Sequence, residues 1–308
     1  MSGLALLCPG QGDQNPAMLD LALSSEEGAR VIAEAGEVLA LDVVEVVRQG
    51  GPAIFRNALA QPLLCTTELA TWAALRDSLP APLLVLGYSL GELAAHGCAG
   101  ALRTASVVEL ARRRAALMDA AAAVPSGLVA LRGLPLATVA ALCAASGTEI
   151  AIVNGPDHVV AGGRLADLDG LERGAREAGA TTVQRLPVGV AAHTSLLAGA
   201  VGPFADALVD SSLEDPLVTV LAGVSGAPVR DRAGAIQTLS LQLARPLEWA
   251  RCLAAAREMG ATVFLELGPG SALTRMATEL LPGAAARSVA EFRSRKGIAA
   301  WVEARVAA

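Results

Sequence analysis

In Gly87-Tyr88-Ser89-Leu90-Gly91 a serine stands between two glycines, after a short apolar run at residues 82–87 and before a helical pattern over 90–99. A strand that turns sharply into a helix exposes the side chain at the bend, and only small residues two before and two after it avoid a clash. Gly87 and Gly91 supply them. Ser89 then lies at the positive end of the helix, where free main-chain N–H groups stabilise an oxyanion. That is a place for acyl transfer.

A serine nucleophile needs a base, and the chain holds only three histidines, His96, His158 and His193. His96 follows Ser89 by seven residues on the same predicted helix, about 10 Å along its axis and beyond hydrogen-bond reach. It is read as a packing or surface residue. His158 stands beside Asp157 at the head of a short strand, a common turn position. His193, within the small-residue stretch Val190-Ala191-Ala192-His193-Thr194-Ser195, is the base by elimination. Arg112, Arg113 and Arg114 follow one another on a predicted helix, and a guanidinium facing inward from it would grip a substrate carboxylate with two parallel hydrogen bonds. Their spacing does not say which one faces in. Gln11, in the turn Pro9-Gly10-Gln11-Gly12, can offer its main-chain N–H as a second oxyanion donor.

These residues need a scaffold. Apolar runs at 3–8 and 82–87 read as buried parallel strands, with helices over 30–49, 63–79, 90–99 and 106–123. Val124-Pro125-Ser126-Gly127 breaks the pattern. Strands then alternate with helices (127–132, helix 136–146, 149–153, 158–162, helix 167–178, 182–186), the order of a ferredoxin-like unit. The larger pattern resumes past Pro187, with helices at 196–210, 237–245 and 247–259, strands at 217–222 and 262–266, and a final helix pair. The expected architecture is α/β: a hydrolase-like catalytic domain with a parallel sheet from residues 1–125 and 188–308, and an inserted ferredoxin-like subdomain from 126–187.

Composition bounds the partners. The 308 residues are 53% apolar and 18% charged, which excludes a disordered chain, and a net charge of −6 opposes general affinity for nucleic acid or anionic membrane. The uncharged window 186–205 carries too many prolines, glycines and polar residues for a membrane span. Five cysteines, scattered through apolar runs without a C-x-x-C pair or Cys/His cluster, read as reduced thiols of a cytoplasmic protein with no metal site. The N-terminus lacks a signal-peptide pattern.

Taken together, the motifs resemble malonyl-CoA:acyl carrier protein transacylases. The likeness runs from about residue 4 to 280 through Pro9-Gly10-Gln11-Gly12, Gly87-Tyr88-Ser89-Leu90-Gly91-Glu92, Arg114 with Met118, Asn154-Gly155-Pro156, His193, Gln242 before Arg245-Pro246, and Glu266-Leu267-Gly268-Pro269-Gly270. It implies Ser89 as nucleophile, His193 as base, Arg114 as the clamp for a malonyl carboxylate, the N–H groups of Gln11 and Leu90 as oxyanion hole, and a main-chain carbonyl at Gln242 orienting the imidazole. It also implies malonyl-CoA and an acyl carrier protein as partners and no bound cofactor. Tyr88, where most of the family has His, and the tail Ser288-Val289-Ala290-Glu291-Phe292-Arg293-Ser294 with Trp301 resemble the malonyl transferase (epsilon) subunit of malonate decarboxylase. That likeness implies the other decarboxylase subunits as partners, with the housekeeping transacylase of fatty acid synthesis as the alternative. Arg112, Arg113, Arg293, Arg295 and Lys296 are the candidates for docking an acidic carrier protein. Two other classes remain at this stage: an α/β serine hydrolase, with Asp157 or Asp167 as the acid of a triad, and a module that binds acyl-CoA or carrier protein without catalysis.

Overall fold

The computed structural model describes residues 3–307. Its ten strands are β1 (Gly3–Cys8), β2 (Leu84–Gly87), β3 (Ser126–Arg132), β4 (Glu149–Gly155), β5 (His158–Arg164), β6 (Thr182–Arg185), β7 (Thr219–Leu221), β8 (Pro228–Val229), β9 (Ala261–Glu266) and β10 (Ala285–Ser288). Six build the main sheet in the order β10-β9-β1-β2-β7-β8, parallel throughout except at β8. The near-continuous apolar runs of β1 and β2 suit the centre of such a sheet, because both faces are covered. Successive residues divide accordingly. Leu4, Leu6, Val85, Val263 and Leu265 enter one core, while Ala5, Leu7, Leu84, Leu86 and Phe264 enter the other.

The second sheet, β4-β5-β3-β6, is antiparallel at every pairing. With helices Leu136–Ser146 and Leu165–Glu177 it has the order and connectivity expected of a ferredoxin-like unit, around a core of Val129, Leu131, Val139, Val159, Leu168 and Leu171. It is stitched to the rest of the chain beside β4, where Val153 N–H donates to Leu247 O at 2.8 Å and Leu247 N–H to Ala151 O at 2.9 Å. This join, at Leu247, follows closely on Gln242 in the chain.

Three local expectations are corrected. The single helix expected over 30–49 is two, Glu26–Leu39 and Val43–Gln49, because Ala40 turns left-handed at φ 53° and the Asp42 side chain caps the second helix. The helix expected from residue 63 begins at Asn57 and ends at Leu75, its polar Asn57 and Gln61 hiding the start. The final helices, Ala272–Leu280 and Arg295–Val306, are separated by β10, which pairs along β9. Among the described residues no helix is long and apolar enough to cross a membrane, and all five cysteines are free and buried.

The core encloses ionisable groups. Burial pushes the carboxyls of Glu68 and Glu266 up and that of Glu92 to about 8, and pushes the imidazoles of His96 and His193 down to about 4 and about 3. Above the ordinary carboxyl value of 4.5 the unfolded chain loses protons that the folded chain keeps, so stability falls as pH rises from there through 8. Below the ordinary histidine value of 6.5 the unfolded chain gains protons that the folded imidazoles refuse, so stability also falls as pH drops toward 4. Thermal unfolding followed from pH 4 to 9 is therefore expected to show its highest midpoint at mildly acidic pH. A midpoint that stays level up to pH 9 would contradict the neutral buried carboxyls.

Candidate active site

Ser89 stands where β2 ends and helix Gly91–Cys98 begins, in a left-handed backbone conformation at φ 56°. A non-glycine residue there stores strain, which this turn retains because its neighbours leave no alternative path. A Cβ at Gly87 would fall 2.1 Å from Glu92 Cα, and one at Gly91 would fall 1.9 Å from the Cys8 carbonyl oxygen. The glycine spacing is thus a steric requirement. Neither Gln11 N–H nor Leu90 N–H makes a hydrogen bond among the described residues, leaving both donors free.

His193 is the second residue of the site in a left-handed conformation, at φ 65°, and its main-chain N–H is anchored to Leu243 O at 2.9 Å. Its Nε2 lies 2.7 Å from Ser89 Oγ, and its Nδ1 lies 2.5 Å from the Gln242 carbonyl oxygen. A carbonyl only accepts, so the proton sits on Nδ1 and Nε2 is left to take the serine proton. Burial and the nearby Arg114 charge hold the imidazole neutral, with Gln242 O pulling weakly the other way.

Of the three arginines, Arg114 alone turns inward. It shares a helix face with buried Leu110, Ala111 and Met118 and is 1% exposed, whereas Arg112 and Arg113 both pair with Glu109 at the surface. Its Nη1 donates to Gln61 Oε1 at 2.9 Å, and its Nη2 to Gln242 Oε1 at 3.1 Å and to Ser89 Oγ at 3.5 Å. Burial lowers it to about 10, which leaves it charged at neutral pH. Both amide partners are neutral. A buried cation whose partners are two amide oxygens and, more distantly, a serine hydroxyl can receive an anionic group.

A family model described as acyl transferase domain matches residues 5–295. A malonyl CoA-acyl carrier protein transacylase of Mycobacterium bovis is 34% identical over 291 residues, which is 93% of this chain and 96% of the relative. The chain belongs to the acyl transferase domain family. Among solved structures, the acyltransferase is similar to the malonyl CoA-acyl carrier protein transacylase of Coxiella burnetii at TM-score 0.94 and 26% identity, covering 99% of this chain and 98% of that one. It is also similar, at TM-score 0.92 and 27% identity, to a structure of a malonyl-transacylase in complex with its type II PKS acyl-carrier protein, covering 96% of this chain and 98% of that one.

Gln242 does more in the acyltransferase than orient an imidazole. Besides holding His193 through its main chain and Arg114 through Oε1, it donates from Nε2 to Ser89 O at 3.0 Å and to Glu92 Oε2 at 3.0 Å. At 1% exposure its one side chain and carbonyl tie Ser89, His193 and Arg114 together. Asn57 and Gln61 were not anticipated at all. Gln61 Nε2 donates to Asn57 Oδ1 at 2.5 Å, and Gln11 Nε2 reaches the same oxygen at 3.2 Å, so the Gly-rich turn and the guanidinium share one support. The only trace in the sequence is a pair of amides four residues apart, in the first turns of helix Asn57–Leu75.

The other candidates fall outside this cluster. His96 is wholly buried, with neither ring nitrogen hydrogen-bonded among the described residues, so it lies in the core and not at the surface. His158 Nε2 lies 3.3 Å from Asn154 Nδ2. Asp157 is exposed in the β4–β5 turn and Asp167 is on helix Leu165–Glu177; neither bonds to His193, whose Nδ1 is occupied by Gln242 O. Tyr88 packs its ring edge-on against Trp249, with centroids 5.4 Å apart, and burial pushes its hydroxyl well up. Of the basic residues considered for docking, Arg295 donates to Ala74 O and Ser24 O, and together with Arg293 and Lys296 it lines a cavity of about 630 Å³.

Proposed function

We propose that the acyltransferase moves a malonyl group from malonyl-CoA to the thiol of an acyl carrier protein's phosphopantetheine-type arm through an ester on Ser89. The observation that carries this reading is the uncompensated guanidinium of Arg114, 3.5 Å from the Ser89 hydroxyl. A thioester whose acyl chain ends in a carboxylate places its anion on Arg114 and its carbonyl carbon against Ser89 in one pose.

His193 Nε2 takes the Ser89 proton as Oγ attacks the thioester carbonyl carbon. The oxyanion is held by the N–H groups of Gln11 and Leu90. The C–S bond then breaks, and CoA leaves as the thiol with the proton from His193. In the second half-reaction His193 takes the proton of the carrier thiol, the sulfur attacks the ester carbonyl, the C–Oγ bond breaks, and the proton returns from His193 to the departing Ser89 Oγ. The Gln242 carbonyl orients the imidazole but adds no negative charge to balance an imidazolium, so the helix N-terminus and oxyanion donors carry more of the stabilisation than in a Ser-His-Asp triad.

The bond from His193 to a carbonyl argues against the hydrolase reading, since neither Asp157 nor Asp167 is its partner. The Mycobacterium bovis relative carries the transacylase name, and this supports the transacylase of fatty acid synthesis over the malonate decarboxylase subunit suggested by Tyr88 and the tail. The complex of a malonyl-transacylase with its acyl-carrier protein supports a carrier protein as acceptor. Buried free thiols support a cytoplasmic setting.

Intact-mass spectrometry after mixing with malonyl-CoA tests the reading, followed by peptide mapping and chase with a holo carrier protein. One malonyl group is expected, on the peptide bearing Ser89, and it should leave to the carrier thiol faster than to water. An adduct elsewhere, or one that only hydrolyses, would overturn it.

A further inference from the structure

Glu92 is drawn into this site yet takes no part in the steps above. Its side chain is 0% exposed, and Oε2 accepts from Gly223 N–H at 3.1 Å and from Gln242 Nε2 at 3.0 Å, while Oε1 has no partner among the described residues. The carboxamide of Gln242 has two faces of opposite hydrogen-bonding sense. As held, its oxygen meets the guanidinium and its nitrogen meets Ser89 O and Glu92. Turned over, it would aim a donor at Arg114, which has only donors, and an acceptor at the Ser89 carbonyl.

We propose that Glu92 is a positioning residue that fixes the Gln242 carboxamide with its oxygen toward Arg114, and thereby sets the guanidinium for a substrate carboxylate. This rests on the malonyl-transfer reading above. A carboxylate so near a buried arginine would ordinarily be its ion partner and a competitor of the substrate. Here the contact is relayed through an amide. Burial, opposed by Gly223 N–H, Arg114 and Gln242, raises the carboxyl to about 8, so at neutral pH it is mostly the uncharged acid. It accepts through a neutral oxygen, and the arginine charge is left for the ligand to neutralise.

The test compares malonyl-CoA with acetyl-CoA in the parent and in Glu92→Gln, Glu92→Met, Gln242→Leu and the Glu92→Met/Gln242→Leu double variant. Glutamine is the neutral acid's closest mimic and keeps the acceptor, so Glu92→Gln is expected to stay within about threefold of parental selectivity. Glu92→Met and Gln242→Leu are each expected to lower the malonyl preference about tenfold, mainly through KM for malonyl-CoA, and the double variant should fall no further than the worse single one. Parental selectivity in Glu92→Met, a loss in Glu92→Gln as deep as in Glu92→Met, or fully additive losses would each overturn the proposal. Should Glu92→Met not fold, Glu92→Gln and Gln242→Leu decide: selectivity lost in the first or kept in the second overturns it. A parent chain that forms no malonyl-serine refutes the transfer reading itself, and intact mass records that separately.

Discussion

Ser89→Ala is expected to form no malonyl adduct on mixing with malonyl-CoA and to lose transfer to a carrier thiol by ~10⁴-fold or more, the scale seen when a nucleophile acting in concert with its base is removed. The argument is local. Ser89 Oγ is 2.7 Å from the one imidazole nitrogen free to take a proton, and no other hydroxyl or thiol among the described residues makes a hydrogen bond to His193. The five cysteines are buried, and those with a clear shift are pushed up by burial, so no thiolate stands ready to substitute. Alanine is about as strained as serine at φ 56°, and the fold should survive with its thermal midpoint little changed. Intact mass and a carrier-acylation assay on the same preparation check both halves. A malonylated Ser89→Ala protein would place the nucleophile elsewhere and end the serine mechanism, whereas a parent that binds malonyl-CoA without acylation would revive the binding-module reading.

The turn that carries Ser89, the proposed nucleophile, was legible because its constraint is local and steric: the glycines at 87 and 91 are demanded by the Glu92 backbone and the Cys8 carbonyl, and a spacing of two leaves a mark in any sequence. His193 was legible only because histidines are scarce here. Arg114 could not be told from Arg112 and Arg113 by spacing, since three consecutive residues sweep around most of a helix; in the fold Arg114 falls on the face of buried Leu110, Ala111 and Met118, and the other two pair with Glu109 outside. The hub formed by Gln242, Glu92, Gln61 and Asn57 was largely illegible for another reason. Its contacts span separations from 4 to 153 residues, and an amide satisfied in a core looks in sequence like an amide in water. The fold followed the same division. Buried parallel strands announce themselves as apolar runs, and the ferredoxin-like unit by its strand and helix order. The edge strand β10, in contrast, reads Ala-Ala-Arg-Ser and owes its conformation to its neighbour β9.

Arg114→Ala is expected to lower kcat/KM for malonyl-CoA by ~10²–10³-fold, the loss that follows when one partner of a buried, hydrogen-bonded charge pair is cut away. Acetyl-CoA presents no carboxylate, so its turnover should fall far less and the preference between the two should collapse or invert. Lysine is a poor rescue: it offers a point charge where Gln61, Gln242 and the ligand require a planar fork. Competition between the two thioesters in one tube measures the ratio directly, and a variant that still discriminates like the parent would remove Arg114 from the substrate. The same residue makes an opposite prediction for stability. In the empty enzyme its charge is buried against neutral amides, and burial alone drives its proton affinity down. A side chain of similar volume without charge, as in Arg114→Met, is therefore expected to raise the thermal midpoint while abolishing selectivity. Adding malonyl-CoA should raise the midpoint of the parent more than that of the variant, because the guanidinium gains its counterion only from the ligand.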